Sequence, residues 1–278
     1  MKKGYEYLFQ VDGRRVYVYG RKTNLEQKSK QLPLVLDLNC TTGNPQAEAM
    51  TNGWKDLAQK ENMIVVAPEY DDYATYSETT FFMHVIQAAE RRYHIDEHRI
   101  YSVGFSNGGA SSVALANTYP HLLAGIGAMG WMIGYARNKN VEIPFVLIQG
   151  SKEYIDHLGG KTAVMDDEKV ALRDLFTGNR MIGTQKADYQ KYPYWGYKPD
   201  RVYQRAVTYF DYDPYGHDKR QVRNKLIFSE YLRKGFKYPF ARLVLVPKET
   251  HIPHSSNAKI VWDGLKHFQR VDDKITEK

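Results

Sequence analysis

A single cysteine, Cys40, stands among 278 residues, which excludes an internal disulfide and any metal site built from several cysteines. Long apolar runs are also missing, and none reaches the length of a bilayer-spanning helix. The opening "MKKGYEYLFQVDGRRVYVYG" holds two lysines but no uninterrupted apolar stretch of the kind a secretory signal requires. With one thiol and no such leader, the sequence reads as a cytoplasmic protein without a membrane partner. Charge of one sign is not concentrated anywhere. The 39 Lys and Arg and 32 Asp and Glu give a net +7, but the two signs mix along the whole chain. No basic block interleaved with aromatics appears, which argues against a nucleic-acid partner. Repeats and low-complexity tracts are absent as well, and one large α/β domain carrying an insertion is the expected organisation.

What is present is an alternation of short apolar runs and helical patterns. "YEYLFQVDGRRVYVYG" reads as a hairpin turning at Asp12-Gly13. "LPLVLDLN" and "NMIVVAPEY" suit buried parallel strands, with a helix expected over "NPQAEAMTNGWKDLAQKEN" between them. A second helix is expected in "SETTFFMHVIQAAERRYHI", and further strands in "LLAGIGAMG", "IPFVLIQGS" and "ARLVLVPKETH". "SNAKIVWDGLKHFQR" reads as a closing amphipathic helix. Strands alternating with helices imply a mostly parallel sheet covered on both faces.

One region breaks the pattern. From 155 to 240 the chain is polar and tyrosine-rich, centred on "YQKYPYWGYKPDRVYQRAVTYFDYDPYGHDKR". It is too long for a plain loop and reads as an inserted cap between a core segment 1–154 and a closing core segment 241–278. Its Tyr194, Trp195 and Tyr197 are candidates to stack on a substrate, or else to pack the cap onto the body. Truncation between Lys186 and Lys219 is then expected to alter substrate preference more than the hydrolysis of a small acetate.

The chemistry centres on "RIYSVGFSNGGASSVALANTYP", where β-formers give way to a helix around Ser106. Gly104, Gly108 and Gly109 allow the sharp strand-to-helix turn that exposes a nucleophilic hydroxyl. A serine hydroxyl needs a base, and the base an orienting acid, both beyond the carboxyl ends of parallel strands. Of nine histidines, His251 and His254 directly follow the last strand candidate. Glu153, with Asp156 as the alternative, follows "PFVLIQG". The order is nucleophile, acid, histidine.

That order, and "IDEHRIYSVGFSNGGASSVALANTYPHLLAGIGAMGW" with the closing "THIPHSSNAKIVWDGLKHFQR", resemble the α/β-hydrolase superfamily. The resemblance is to the esterase group of polyhydroxybutyrate depolymerases, feruloyl esterases and acetyl xylan esterases, and it covers nearly the whole chain. It implies an α/β-hydrolase fold with Ser106 as nucleophile, His251 as base and an acid at position 153. Aspartate is commoner there, which keeps Asp156 as a competitor. His254 is then expected on the rim, touching substrate. Relatives usually carry His-Gly after the third strand; here Asn39 and Cys40 stand in those places, leaving the amides of Thr41 and Asn107 to form the oxyanion hole. Cys40 reads as a buried, inert thiol. The implied activity is hydrolysis of a small-molecule or carbohydrate-linked carboxylic ester through an acyl-enzyme, with no metal or organic cofactor. The alternatives are a serine peptidase of the same fold and a non-catalytic binding protein on that scaffold.

Overall fold

The computed structural model describes residues 5–26, 30–71, 76–133, 142–153, 164–183 and 185–278. Strands β1 (Tyr5–Val11) and β2 (Arg14–Gly20) form the expected hairpin. Its turn residues Asp12 and Gly13 have φ of 48° and 77°, the mirror-type turn whose twist matches the flanking strands. After helix α1 (Lys22–Glu26), the apolar runs become β3 (Leu32–Leu38) and β4 (Ile64–Pro68), with every residue buried. Then come β5 (Ile95–Phe105), β6 (Gly125–Met129), β7 (Phe145–Gly150), β8 (Arg201–Tyr212), β9 (Asp218–Tyr231) and β10 (Ala241–Val246).

These ten strands make one sheet in the order β1-β2-β4-β3-β5-β6-β7-β10-β9-β8. The six from β4 to β10 in that order run parallel, and an antiparallel pair flanks each side. The chain passes from β3 out to β4 and returns to β5 on the other side of β3. That reversal opens a crevice beyond the carboxyl ends of β3 and β5, where open α/β sheets place their sites.

Helices cover both faces. On one, α4 (Thr79–Arg92), α5 (Asn107–Thr118) and α6 (Asp166–Gly178) pack Phe82, Val113 and Phe176 against Leu34, Leu36 and Leu147. On the other, α3 (Trp54–Lys60) and α7 (Asn257–Leu265) bring Trp54, Val261 and Trp262 against Val35, Val103 and Val146. Successive residues of one strand therefore serve different cores, which is why these strands read as continuous apolar runs.

Three expectations are modified. The helix expected over 44–62 is split into α2 (Pro45–Thr51) and α3 at Asn52-Gly53. Gly53 has φ of 85°, and a Cβ there would lie 2.2 Å from the Ser255 carbonyl oxygen, so the break lets the helix pair seat against the segment before α7. The closing helix ends at Leu265, and β11 (Phe268–Val271) pairs with β12 (Lys274–Glu277). Phe268 and Ile275 are buried with Phe240, and that small core draws the chain out of the helix. Finally, part of the inserted segment joins the body. The inner half of β9 pairs with β10 from Ile227↔Leu245 to Tyr231↔Ala241, burying Leu226, Phe228 and Tyr231. The outer half of the β8–β9 hairpin runs past the carboxyl end of β10. Its tip reaches across to α2, where Gly216 faces Ala47 and Met50.

Candidate active site

Ser106 sits between the last residue of β5 and the first of α5, with φ 54° and ψ −121°. For a residue with a Cβ this backbone is strained, at a cost of about 1–3 kcal/mol that the surroundings must enforce. The glycines explain how. A Cβ on Gly104 would lie 2.3 Å from the Gly108 carbonyl carbon, and one on Gly108 only 1.9 Å from the Leu38 carbonyl oxygen. With neither present, β5, α5 and the end of β3 close together. The Ser106 amide donates to the Met129 carbonyl at 2.7 Å, while its own carbonyl accepts from Gly109 and Ala110 at 2.9 and 3.2 Å. The backbone is fixed on both sides, and the hydroxyl is left projecting.

His251 Nε2 lies 2.7 Å from Ser106 Oγ. Its Nδ1 is hydrogen-bonded to Glu153 Oε1, and the other oxygen of Glu153 accepts the Gly150 amide at 2.9 Å. Phe105 packs on the imidazole with ring centroids 4.7 Å apart. Glu153 is buried, and burial pushes its carboxyl well above the usual range, with the Gly150 amide pulling the other way. Burial also lowers His251 from 6.5 to about 4. The three residues expected to act together are thus in hydrogen-bonded series. Asp156, the alternative acid, lies outside the described residues.

The segment after β3 meets the start of α5. Asn107 is the first residue of α5, so its amide lies at the start of the helix. Thr41 lies in a tight turn closed by the Gly43 amide on the Cys40 carbonyl at 2.9 Å, with Thr42 at φ 58°. The segment with Asn39 and Cys40 in place of His-Gly is held by side chains. The Asn39 side chain donates to the carbonyls of Cys40 and Gly43 at 2.9 and 3.3 Å, and Tyr70 donates to the Asn39 carbonyl at 2.6 Å. Beneath the turn, Cys40 is buried, as expected. Glu48 on α2 accepts Asn52 at 2.7 Å, and burial raises its carboxyl to about 7, against the lowering effect of Asn52 and of the Cys40 thiol and amide.

Two expectations do not hold. His254 is not on the rim: it is 3% exposed, its ring tilted against Tyr209 with centroids 4.2 Å apart, and its Nδ1 lies 2.8 Å from Asp211 on β8. Trp195 and Tyr197 are 4% and 2% exposed within the main core, Tyr197 against Phe176. Their apolar area is worth more in that core than in water, and no face is left open for a ligand. Tyr194 alone of the three is exposed.

Sequence reasoning did not reach Gly130, whose φ is 83° and whose absent Cβ would lie 2.8 Å from Glu153 Oε1 and 3.0 Å from His251 Cε1. Nor did it reach Glu168, buried on α6. Glu168 accepts Gln149 and the Met165 and Met132 amides at 3.0, 3.0 and 3.3 Å, tying three segments together around Glu153. A glycine directly after β6, a strand adjacent to β5, was the available signal for the first; nothing local marks the second.

A cleft of about 300 Å³ opens beside His251, lined by Asp211 to Pro214, Lys219, Arg220, Ile252 and Pro253. Two prolines and an isoleucine line it together with the charged Asp211, Asp213, Lys219 and Arg220. Among the described residues, no group of three or more His, Cys, Asp or Glu side chains is placed to share a metal ion, and no helix is long and apolar enough to cross a membrane.

Comparison with known proteins places this geometry in context. No family model matches the chain. Over 104 residues, 35% of the chain, it is 32% identical to the bifunctional acetylxylan esterase/xylanase XynS20E of Neocallimastix patriciarum, and the match spans 15% of that protein's length. In structure it resembles an acetyl xylan esterase from Aspergillus awamori, with a TM-score of 0.57 at 11% identity over 94% of this chain and 100% of that one. A structure from work on two esterases of Rhizomucor miehei aligns with a TM-score of 0.47 at 11% identity, over 63% of this chain and 71% of that one. The fold is that of the α/β-hydrolases.

Proposed function

We propose that this protein is a serine hydrolase that cleaves carboxylic esters. The observation that carries the reading is the series Ser106–His251–Glu153, with the serine held at a strained turn and its hydroxyl 2.7 Å from His251 Nε2. In this scheme Ser106 Oγ attacks the ester carbonyl while His251 Nε2 takes its proton. Negative charge develops on the carbonyl oxygen and is received by the amides of Thr41 and Asn107. The imidazolium then gives its proton to the departing alcohol, leaving an acyl group on Ser106. Water repeats the attack, with His251 again as base, and releases the acid.

The electrostatics support these roles. A carboxylate at Glu153 is a costly buried charge in the resting site. When His251 becomes cationic, that charge gains an adjacent partner, so the pair is better matched in the transition state than before it. The hydrolysed bond is proposed to be an ester because the partial relative is named an acetylxylan esterase. The cleft beside His251 is the proposed place for part of the substrate.

The test is labelling with a fluorophosphonate probe together with hydrolysis of p-nitrophenyl acetate, each with Ser106→Ala as control. Labelling and turnover that vanish in the variant are expected. A wild-type protein that is folded but neither labelled nor active ends the proposal.

A further inference from the structure

His251 must hold its Nε2 within hydrogen-bond distance of Ser106, yet the loop that carries it has little of its own to fix it. Between Glu249 and His254, the Ile252 amide on the Thr250 carbonyl at 3.0 Å is the one backbone bond formed inside the loop. Upstream the loop is tied to the segment that follows β7, with the Lys152 amide on the Glu249 carbonyl at 2.9 Å. Downstream it is held against the α2–α3 break and by the inserted hairpin. Asp211 forms an isolated bridge with His254, the Ser255 amide donates to the Phe210 carbonyl at 3.1 Å, and Ser255 Oγ accepts the Phe210 amide at 2.9 Å.

The side chains close the same junction. Asp211 and His254 are both buried and meet at 2.8 Å. Burial opposes a charge on Asp211, but His254 and Arg220 outweigh it and hold the carboxyl below its ordinary value. Arg220, from the other strand of the hairpin, donates to the second oxygen of Asp211 at 3.2 Å and stands 3.7 Å from Glu249. One hairpin therefore grips the loop two residues before His251 and three residues after it. Pro253, with its fixed φ, joins the downstream grip to the base.

We propose that His254 and Asp211 are positioning residues for the base, and that the inserted hairpin is a clasp belonging to the reaction machinery. The proposal rests on the serine-hydrolase reading above. Arg220 is largely exposed and stands 3.7 Å from the buried Glu249, a looser contact; the buried Asp211–His254 pair does most of the holding. Loosening it lets the His251 ring drift from the Ser106 hydroxyl, and a displacement near 1 Å can cost about a hundredfold in rate.

The experiment compares His254→Ala, His254→Asn and Asp211→Asn with the wild type. The readouts are kcat and KM on p-nitrophenyl acetate, the rate of fluorophosphonate labelling and the melting temperature. Asparagine keeps an N–H near the position of the histidine Nδ1, so it can still donate to Asp211. We expect His254→Ala to lower kcat and the labelling rate about ten- to a hundredfold with KM changed by less than about threefold, and His254→Asn to restore most of that loss. If His254→Ala does not fold, Asp211→Asn carries the test, with a smaller fall in kcat and the same unchanged KM. Unaltered kcat and labelling in a folded His254→Ala or Asp211→Asn overturn the clasp while leaving the hydrolase reading intact. So does a His254→Asn protein that regains its melting temperature but not its kcat. Failure of the wild type itself to be labelled removes both.

Discussion

Ser106 contributes a hydroxyl to the site and nothing to the cores, so its removal separates activity from stability. We expect Ser106→Ala to lose ester hydrolysis while melting within a few degrees of the wild type; retention of more than a few per cent of turnover would contradict the assignment. The pH profile follows from His251, which must be neutral to accept a proton. Burial lowers it to about 4, so the active form persists as pH falls below 6.5, and the acid limb of kcat/KM should have its midpoint under that value. A midpoint at or above 6.5 would contradict this. Glu48 behaves in the opposite sense. Its carboxyl is raised from 4.5 to about 7, so the folded state binds the proton more tightly than the unfolded chain. Its stabilising contribution is complete below pH 4.5 and is lost as pH rises through 7, by about 3 kcal/mol. Glu48→Gln cannot ionise and keeps an acceptor for Asn52, so its melting temperature should fall less than that of the wild type between pH 5 and pH 8. Parallel curves for the two proteins would refute the argument.

Elements were legible in the sequence where their cause was local. The Asp12-Gly13 turn, the runs that became β3, β4 and β10, and the glycine-flanked Ser106 each carry their own signal, and their order alone indicated where an acid and a base could stand. Elements governed by distant contacts were not legible. Asn52-Gly53 breaks a good helical pattern because Ser255, two hundred residues later, lies against it. Trp195 and Tyr197 look like a binding surface by composition, yet both lie in the main core, where α6 and β9 supply Phe176 and Tyr231 against Tyr197. Gly108 joins both kinds of cause, since it is a local turn signal whose constraint comes from β3. Alanine ordinarily favours a helix over glycine by about 1 kcal/mol. At 108 its Cβ would meet backbone at 1.9 Å, so we expect Gly108→Ala to destabilise strongly in urea unfolding. A midpoint equal to or above that of the wild type would show that the β3–α5 approach is looser than described.

Across the whole molecule, the proposed clasp and the lid expected from composition lead to different outcomes. A removable lid would change which esters are cleaved; a clasp on His251 affects them all. Replacing Val207–Asn224 by an Asn-Gly turn keeps Ala206 opposite Lys225 in the sheet and removes Asp211 and Arg220. We expect that protein to lose kcat on small and bulky esters alike, and a loss confined to bulky esters would restore the lid. The position of β10 has a further consequence for how the molecule comes into being. In the sheet β10 lies between β7 and the β8–β9 hairpin, but in the chain it follows both. During synthesis at about 5–20 residues per second, the hairpin emerges before the strand on which it must dock. The nascent chain therefore carries an unmoored antiparallel ribbon until β10 is made, and Ser106 stays without His251 for the same interval. On the proposed mechanism, competence is acquired at one late moment, when a single strand joins the sheet, the hairpin and the histidine together.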